Sequence, residues 1–283
     1  MSKKKIAIQG ELGAYSHIAV ENIYKNAEIK TCATFEETFK QASHDPNYKI
    51  VIPIENSLAG RVVDVHSLLV KYKPKIIREH FLRIEHCLIS NLSSDINKIK
   101  YVKSHSHAIS QCQKNIHSKN LTPVITADTA GSAKLLSENP DDTIAVIASS
   151  ISAEIYKLKI LQNNFEDMEG NTTRFLVMDN SSNDENFEKN KKYITTCIFK
   201  LKSIPGALHK CLGGFAKNSI NLTKLESFSL DNSFVQAIFY VDMEGHPDDP
   251  KISDSLNDLK KQTEKLDILG VYPASTYRYR KLS

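Results

Sequence analysis

Five consecutive residues, from Asn171 to Phe175, combine side chains that suit the binding of a small organic anion. They supply an amide, two hydroxyls, a guanidinium and an aromatic ring. The amide and the hydroxyls donate neutral hydrogen bonds, and the planar guanidinium of Arg174 matches the geometry of a carboxylate. The ring of Phe175 adds a flat apolar surface. We expect this run to hold an anion and to donate a hydrogen bond or a proton to it.

A second polar group, Glu55, Asn56 and Ser57, follows an almost entirely apolar strand that ends at Ile54. Pro53 places this strand at a sheet edge or marks its end. We expect the three side chains to project into a cleft. Ser57 is also a suitable N-cap for the next helix, and both interpretations stay open.

Gly60 and Arg61 come next along the chain and are further candidates for binding. Because it lacks a side chain, Gly60 allows the backbone to approach a ligand closely. Arg61 is a second potential partner for a carboxylate, although an exposed charge on a helix is an equally good interpretation.

Ser104 and Gln111 are separated by seven residues, which is close to two helical turns. If one helix contains both, they share a face, and Ser104 lies at its start, where backbone N–H groups attract anions. A simple N-cap is the alternative for Ser104. His105 and His107 have no evident third partner for a metal, so we expect no metal site.

Short apolar strands alternate with helical patterns up to Tyr156, which indicates a parallel α/β sheet. A long extended segment, residues 81–90, is predicted to cross into a second lobe, where the alternation repeats. Ligands of open α/β sheets bind beyond the carboxyl ends of the strands, so we expect a site in a cleft between the two lobes. The predicted strands span residues 5–9, 30–33, 49–54, 101–103, 124–125 and 144–147, and the predicted helices span residues 15–26, 35–42, 60–70, 108–116, 129–136 and 152–156.

The pattern changes after a polar, charged stretch that ends at Lys192. This stretch is typical of a linker. The elements that follow have the order βαββαβ, which is a ferredoxin-like arrangement. The predicted strands span residues 193–201, 222–228, 234–241 and 269–272, and the helices span 207–216 and 250–266. We therefore expect a two-lobed domain over residues 1–180, a linker over 181–192 and a smaller domain over 193–275.

The composition is that of an ordinary globular protein, with 41% hydrophobic and 25% charged residues in 283. The 37 basic residues exceed the 33 acidic residues by four, which is too small an excess to indicate nucleic-acid binding. Five cysteines without a C-x-x-C pair favour the reducing cytoplasm over a disulfide framework. No apolar run has a length near the roughly 18 residues of a membrane span. We expect a cytoplasmic protein without membrane or nucleic-acid partners.

These motifs, taken in order along the chain, resemble those of prephenate dehydratases with a C-terminal ACT domain. The matching segments are Gly10–Ser16, Pro53–Ser57 with Gly60, Ser104-His105 with Gln111-Cys112, Asn171–Phe175, and Pro205–Leu208 with Glu226-Ser227. The resemblance implies a periplasmic-binding-protein-like, two-lobed catalytic domain and a ferredoxin-like regulatory domain. It implies decarboxylating dehydration of prephenate to phenylpyruvate in L-phenylalanine biosynthesis, without metal or organic cofactor. It also implies a homo-oligomer, either a dimer or a tetramer.

Thr173 is the residue to which we assign catalysis. A threonine hydroxyl is too weak an acid to be a conventional general acid near neutral pH. It can still donate a hydrogen bond, or a proton late in C–O cleavage, within a dry and preorganised site. A purely structural role as a β-former is the alternative. The substrate-binding residues expected beside it are Glu55, Asn56, Ser57, Gly60, Arg61, Ser104, Gln111, Asn171, Thr172, Arg174 and Phe175.

The resemblance also implies L-phenylalanine as an effector of the second domain. The expected effector-binding residues are Gly206, Ala207, Leu208, Glu226 and Ser227. The family's usual Glu-Ser-Arg-Pro is replaced here by Glu226-Ser227-Phe228-Ser229. This difference leaves open a second interpretation, in which the domain serves assembly alone.

Two rival functions remain at this point. An arogenate dehydratase has the same fold and acts on a substrate that carries an amino group in place of the keto group. A non-catalytic protein that binds or senses a small anion fits two lobes around a cleft. The complete Glu-Asn-Ser and Thr-Arg-Phe sets favour catalysis, because a binding protein does not need all of these groups.

Overall fold

The computed structural model describes residues 3–180, 187–229 and 237–280. Within these ranges the chain forms three β-sheets flanked by helices, an α/β fold with mixed sheets. The predicted linker, residues 181–192, lies partly outside the described residues. Its described part, residues 187–192, contains turns without a helix or a strand.

The first sheet has the strand order β2-β1-β3-β11-β5, with the short strand β4 paired to β3. Strand β1 runs parallel to both β2 and β3, as the sequence predicted. The apolar runs in β1 and β3 are fully buried, as is typical of strands that are covered on both faces. The strands are β1 (Lys5–Gln9), β2 (Glu28–Cys32), β3 (Tyr48–Asn56), β4 (Gly60–Arg61), β5 (Lys75–Arg83) and β11 (Thr172–Asp179).

The second sheet has the order β10-β6-β9-β7-β8 and is mixed. Strand β7 is parallel to β8 and β9, but β6 and β10 are antiparallel to their neighbours. The expectation of wholly parallel sheets is therefore wrong for this lobe, because the chain returns through β6 and β10 at one edge. The strands are β6 (Cys87–Ser90), β7 (Tyr101–Ser104), β8 (Thr122–Ile125), β9 (Ile144–Ala148) and β10 (Lys159–Gln162).

Two predicted helices of this region differ from those observed. Residues 60–61 form strand β4, and the helix begins only at Val63. The helix predicted over 108–116 is divided into two at Cys112, whose backbone is not helical. The helices are α1 (Tyr15–Ile23), α2 (Phe35–His44), α3 (Val63–Tyr72), α4 (Ser106–Gln111), α5 (Gln113–Ser118), α6 (Thr129–Glu138) and α7 (Ser150–Ile155), with a short 3-10 helix at Ile96–Lys98.

The C-terminal elements follow the predicted βαββαβ order and form a four-stranded antiparallel sheet, β13-β14-β12-β15. Helix α9 ends at Gln262, so the prediction that it reaches Leu266 is wrong. Thr263 has an extended backbone and opens the last strand, in which Leu266 lies. The first residues of the strand predicted over 234–241 lie outside the described residues. The elements are β12 (Tyr193–Leu201), α8 (Ala207–Lys217), β13 (Leu222–Phe228), β14 (Ile238–Glu244), α9 (Pro250–Gln262) and β15 (Thr263–Pro273), followed by a 3-10 helix at Thr276–Tyr279.

The chain divides into two compact units. The first comprises Met1–Gln41, Asn47–Val62 and Phe81–Phe175, and the second comprises Ala42–Pro46, Val63–His80 and Leu176–Ser283. The second unit thus combines the C-terminal elements with helix α3 and most of β5.

The second unit contains two close contacts between β5 and the C-terminal elements. The carboxylate of Glu79, which is fully buried, accepts bonds from Nε and Nη2 of Arg278 at 2.7 and 2.8 Å. The backbone of β15 passes next to β5 at Gly270. A Cβ atom there would overlap the carbonyl oxygen of Ile76 and lie 2.8 Å from the Ile76 Cβ.

We expect Gly270→Ala to lower the free energy of unfolding by about 1–3 kcal/mol, because the added methyl meets backbone that cannot move aside. Gly213→Ala is the matched control, since a Cβ at this helical position meets nothing within 4 Å. That control should gain up to about 1 kcal/mol from helix propensity. Urea denaturation of both variants is the measurement, and equal effects would contradict the close packing at Gly270.

Candidate functional site

Asn56, the last residue of β3, has a carboxamide whose orientation is fixed by the backbone. Its Oδ1 accepts hydrogen bonds from the N–H groups of Leu58 at 3.0 Å and Ala59 at 2.9 Å. Its Nδ2 must therefore be the donor on the other side. That nitrogen donates to Asn171 Oδ1 at 2.6 Å and to Thr173 Oγ1 at 2.9 Å. The amide of Asn56 thus holds two residues of the run from Asn171 to Phe175.

Asn171 continues this chain of hydrogen bonds into the second lobe. It is almost fully buried, and its Nδ2 donates to Oε1 of Gln111, the last residue of α4, at 2.7 Å. The same oxygen lies 3.0 Å from Nε2 of His86, which is itself buried. Gln111 Oε1 is therefore shared by two partners.

This series of hydrogen-bonded side chains ends at Tyr15, on helix α1. The hydroxyl of Tyr15 lies 2.7 Å from Nδ1 of His86 and 2.8 Å from the carbonyl oxygen of Glu85. The backbone N–H of His86 donates to Glu166 Oε2 at 2.8 Å. Burial lowers the pKa of His86 against the opposing effects of Gln111 and Glu166, and burial raises the pKa of Tyr15 well above its usual range. Both groups are therefore neutral at physiological pH.

Thr173 has a hydroxyl whose proton is not used within the described part of the chain. Its Oγ1 accepts from Asn56, and none of the described residues accepts a hydrogen bond from it. The residue is buried, with 8% of its surface exposed, and it does not itself line the cavity that Asn171 and Gln111 line. A hydroxyl in this state can donate to a bound molecule.

Arg174, next to Thr173, is buried and paired with an acid. Its Nη1 lies 3.0 Å from Oε1 of Glu55, a side chain that is 31% exposed. The guanidinium also stands over the ring of Phe81, 6.0 Å from its centroid. Phe175 lies in the core, as a packing residue would. Glu55 and Arg174 are thus brought together, as an ion pair between neighbouring strands of one sheet.

Ser57 and Thr172 connect the ends of β3 and β11 through two hydrogen bonds. The N–H of Ser57 donates to the carbonyl of Thr172 at 2.8 Å, and the N–H of Thr172 donates to Ser57 Oγ at 2.9 Å. These bonds hold Asn56 opposite Thr173. Ser57 does not cap a helix, since β4 follows it.

Gly60 and Arg61 form β4, where Arg61 is paired with Glu55 and Gly60 with Asn56. Gly60 has a φ of 78°, which explains the glycine. A Cβ there would meet no protein atom within 4 Å, so close approach to a ligand stays a prediction.

The expectation that Ser104 begins a helix shared with Gln111 was wrong, whereas its role in binding stays a prediction. Ser104 is the last residue of β7, and its hydroxyl donates to the carbonyl of Ile147 at 2.6 Å. The N-cap of α4 is His105, whose side chain accepts from the N–H of His107. Ser104 and Gln111 therefore share no helix, and Ser104 stabilises the pairing of β7 with β9.

A cavity of about 370 Å³ adjoins the buried chain of hydrogen bonds. Within the described residues, Nε2 of Gln111 has no hydrogen-bond partner, and this side chain lines the cavity together with Asn171. Lys114 adds a positive charge to the wall, which Glu166 and Asp167 also line. The remaining lining residues are Leu58, Ala59, His107, Ser110 and Met168.

The comparison with family models decides which family has these features: residues 6–183 match the model of prephenate dehydratase. The chain belongs to the prephenate dehydratase family. It is 38% identical to a bifunctional N-acyl-homoserine lactone acylase/prephenate dehydratase of Komagataeibacter europaeus, over 96% of this chain and 97% of that protein. It is 36% identical to a prephenate dehydratase of Methanocaldococcus jannaschii, over 92% and 95%.

A solved structure shows the same fold over nearly the whole chain. The prephenate dehydratase of Arthrobacter aurescens, solved in complex with L-Phe, has a TM-score of 0.87 and 25% identity, and the match covers 96% of this chain and 92% of that one. The protein is thus an enzyme of the hydro-lyase class. No helix among the described residues is long and apolar enough to cross a membrane.

Three residues at this prephenate dehydratase site were missed by sequence analysis: Tyr15, His86 and Lys114. Lys114 could have been found, because it follows Gln111 by three residues in a helical pattern. His86 gave no local signal, and Tyr15 lies in the matching segment Gly10–Ser16 but was not singled out there. Their contacts join positions 25 and 71 residues apart, which only the folded chain brings together.

A second cavity, of about 420 Å³, lies in the second unit at the start of α8. The predicted residues Gly206, Ala207 and Leu208 line it, together with Phe239. Glu226 and Ser227 do not line it. They lie on β13, where Glu226 pairs with Lys224 at 3.1 Å.

We expect His86 to make stability depend on pH. Its pKa is lowered in the folded state, so the unfolded chain binds the proton first as pH falls through about 6.5. Below that pH, protonation of this group in the unfolded chain lowers the free energy of unfolding by up to about 1.4 kcal/mol per pH unit. The advantage of the wild type over His86→Gln in urea denaturation should shrink between pH 7.5 and 5.5, and a constant difference would contradict the lowered pKa.

Proposed function

We propose that this protein catalyses the decarboxylating dehydration of prephenate to phenylpyruvate, in the biosynthesis of L-phenylalanine, with Thr173 as the catalytic donor. One observation carries the proposal: Asn56, whose orientation is fixed by two backbone N–H groups, donates to Thr173 and leaves the threonine proton for the substrate.

The reaction needs little from the protein beyond orientation and one donor. The electron pair of the C–CO₂ bond moves into the ring as the C–O bond breaks, and the departing hydroxide takes up one proton from solvent, so the products are phenylpyruvate, carbon dioxide and water. Because the ring becomes aromatic, the reaction is strongly downhill. The difficult event is departure of the hydroxyl group, on which negative charge develops. A hydrogen bond from Thr173 to that oxygen stabilises the charge in a nearly dry site.

Binding of prephenate requires partners for two carboxylates. Two cationic side chains, Lys114 on the cavity wall and Arg174 beside Thr173, are the proposed partners, and Nε2 of Gln111 is a neutral donor in the same cavity. Glu55 holds the guanidinium of Arg174 in place through one oxygen. The other residues proposed at sequence level act around this group: Asn56, Asn171, Ser57 and Thr172 position it, as their hydrogen bonds support.

We propose further that residues 193–275 form an ACT domain, following the catalytic domain of residues 1–180 and the linker 181–192, in a cytoplasmic homo-oligomer. The βαββαβ order and the cavity at Gly206 support this assignment. The five cysteines are all free and buried, which supports the cytoplasm. Phe228 stands where the family has arginine. Its ring contacts the ring of His66 at 5.5 Å between centroids, so we propose that phenylalanine at this position serves packing.

Arogenate remains the alternative substrate. It differs from prephenate at the side chain and not at the ring carbon that loses its hydroxyl, so the role of Thr173 is the same for both. Steady-state kinetics with each substrate separate the two proposals, because the preferred substrate has the higher kcat/KM.

We expect Thr173→Val, which keeps the shape and removes the hydroxyl, to lower kcat on prephenate by about 10²–10³-fold. KM should change little, because the lost bond acts mainly in the transition state. Thr173→Ser is the matched control, since it keeps the hydroxyl, and it should retain most of the rate. Formation of phenylpyruvate is the measurement, and a Val variant as fast as the Ser variant would contradict the role of Thr173.

We expect L-phenylalanine to bind at the cavity around Gly206. Gly206→Asn should weaken this binding, because asparagine tolerates the φ of 76° and its side chain enters the open space. Gly213→Ala, on the same helix but outside the cavity, is the control and should bind normally. Calorimetry is the measurement. No heat at millimolar L-phenylalanine in the wild type would mean that this domain serves assembly alone.

A further inference from the structure

We propose that His86 and Tyr15 are positioning residues that hold in place the series of hydrogen-bonded side chains leading to Thr173, whose direction is fixed at its Asn56 end. The proposal rests on the proposed function in one respect, since it takes Thr173 to be the donor to the substrate. Neither residue lies on the wall of the cavity or touches Thr173. They are connected to it through Gln111, Asn171 and Asn56.

The donor and acceptor roles in this series of hydrogen bonds are fixed at its Asn56 end. The oxygen and nitrogen of a carboxamide are assigned by their partners. The N–H groups of Leu58 and Ala59 can only donate, so the Asn56 oxygen faces them and its nitrogen faces Asn171. Asn171 must accept there with Oδ1, and its nitrogen faces Gln111.

The same logic fixes the tautomer of His86. Gln111 Oε1 accepts from Asn171, so it also presents an acceptor to Nε2 of His86, which must carry a proton. Since a buried neutral imidazole has one N–H, Nδ1 is then an acceptor, and the Tyr15 hydroxyl shares its one proton between Nδ1 at 2.7 Å and the carbonyl oxygen of Glu85 at 2.8 Å. The opposite tautomer would set two acceptors against each other at 3.0 Å. His86 is therefore held with its proton on Nε2.

Reversing any donor in the chain requires every later member to turn. An aspartate in place of Asn56 would present an acceptor to both Asn171 and Thr173. Asn171 would turn its nitrogen toward residue 56, Gln111 would turn its nitrogen toward Asn171 and His86, and His86 would move its proton to Nδ1. The Tyr15 hydroxyl would then accept from Nδ1–H and give its proton to the carbonyl of Glu85 alone, which lies 2.8 Å away. Thr173 would then give its proton to the aspartate and no longer to the substrate.

The tautomer of His86 is measurable without any activity assay. Long-range ¹H–¹⁵N spectra of the full chain labelled in its histidines distinguish Nε2–H from Nδ1–H, and His86→Gln identifies the signal by its loss. We expect Nε2–H in the wild type and Nδ1–H in Asn56→Asp. An Nδ1–H tautomer in the wild type, or an unchanged tautomer in Asn56→Asp, would overturn the proposed direction of the chain.

Kinetics on prephenate test the positioning role. His86→Leu removes the donor to Gln111, and we expect kcat to fall about 10–100-fold with little change in KM, as is usual when the support of a reacting group is lost. His86→Gln can place an N–H near the position of Nε2 and should recover part of the rate. Tyr15→Phe, a mild change that keeps the ring, should lower kcat about tenfold or less. His117→Gln, at an exposed position of α5, is the control and should match the wild type.

The outcomes separate the two proposals. A wild type inactive on prephenate and arogenate would refute the proposed function, and the tautomer spectra would still test the chain. An active wild type with folded His86→Leu and Tyr15→Phe variants of unchanged kcat would refute the positioning role alone. Equal rates for His86→Leu and His86→Gln, both reduced, would show that packing and not the donor is what His86 supplies, and would also overturn the proposal.

Discussion

Two backbone N–H groups, those of Leu58 and Ala59, determine the direction of the hydrogen bonds in the site. They lie in the turn between β3 and β4 and both donate to Asn56 Oδ1. A backbone amide cannot exchange donor for acceptor, whereas a side-chain amide can turn over at little cost. The turn therefore sets the polarity of the side chains beyond it, although none of its own side chains needs to react.

The two sheets place these side chains for ordinary reasons of strand pairing. Strand β3 ends at Asn56 and β11 begins at Thr172, and the two hydrogen bonds between Ser57 and Thr172 fix their register. A shift of one residue would turn Thr173 to the opposite face of the sheet. Because β3 and β11 are neighbours in the sheet, positions more than a hundred residues apart in sequence meet where β3 ends and β11 begins.

The sequence predicted the elements better than the contacts. The bounds of β12 and β13 agree with the prediction, whereas β10 was missed because it is a short edge strand with an exposed start. The motif around Asn171 was found because its residues are adjacent in sequence. Ser104 was misplaced because spacing alone does not show that β7 continues to this residue, and His86 was missed because its contacts are all non-local.

Membership of a signature does not by itself mean contact with a substrate. Asn56 has all of its polar atoms engaged with Leu58, Ala59, Asn171 and Thr173, so it has little left to offer a ligand. Asn56 acts on Thr173 instead. Because Asn56 donates to Thr173 Oγ1, the threonine hydroxyl is an acceptor in that bond and its own proton is not used there. Within the described part of the chain, two donors of this network have no acceptor, Nε2 of Gln111 and the hydroxyl of Thr173. The hydroxyl is the stronger acid of the two, which is the physical reason to regard Thr173 as the reacting group.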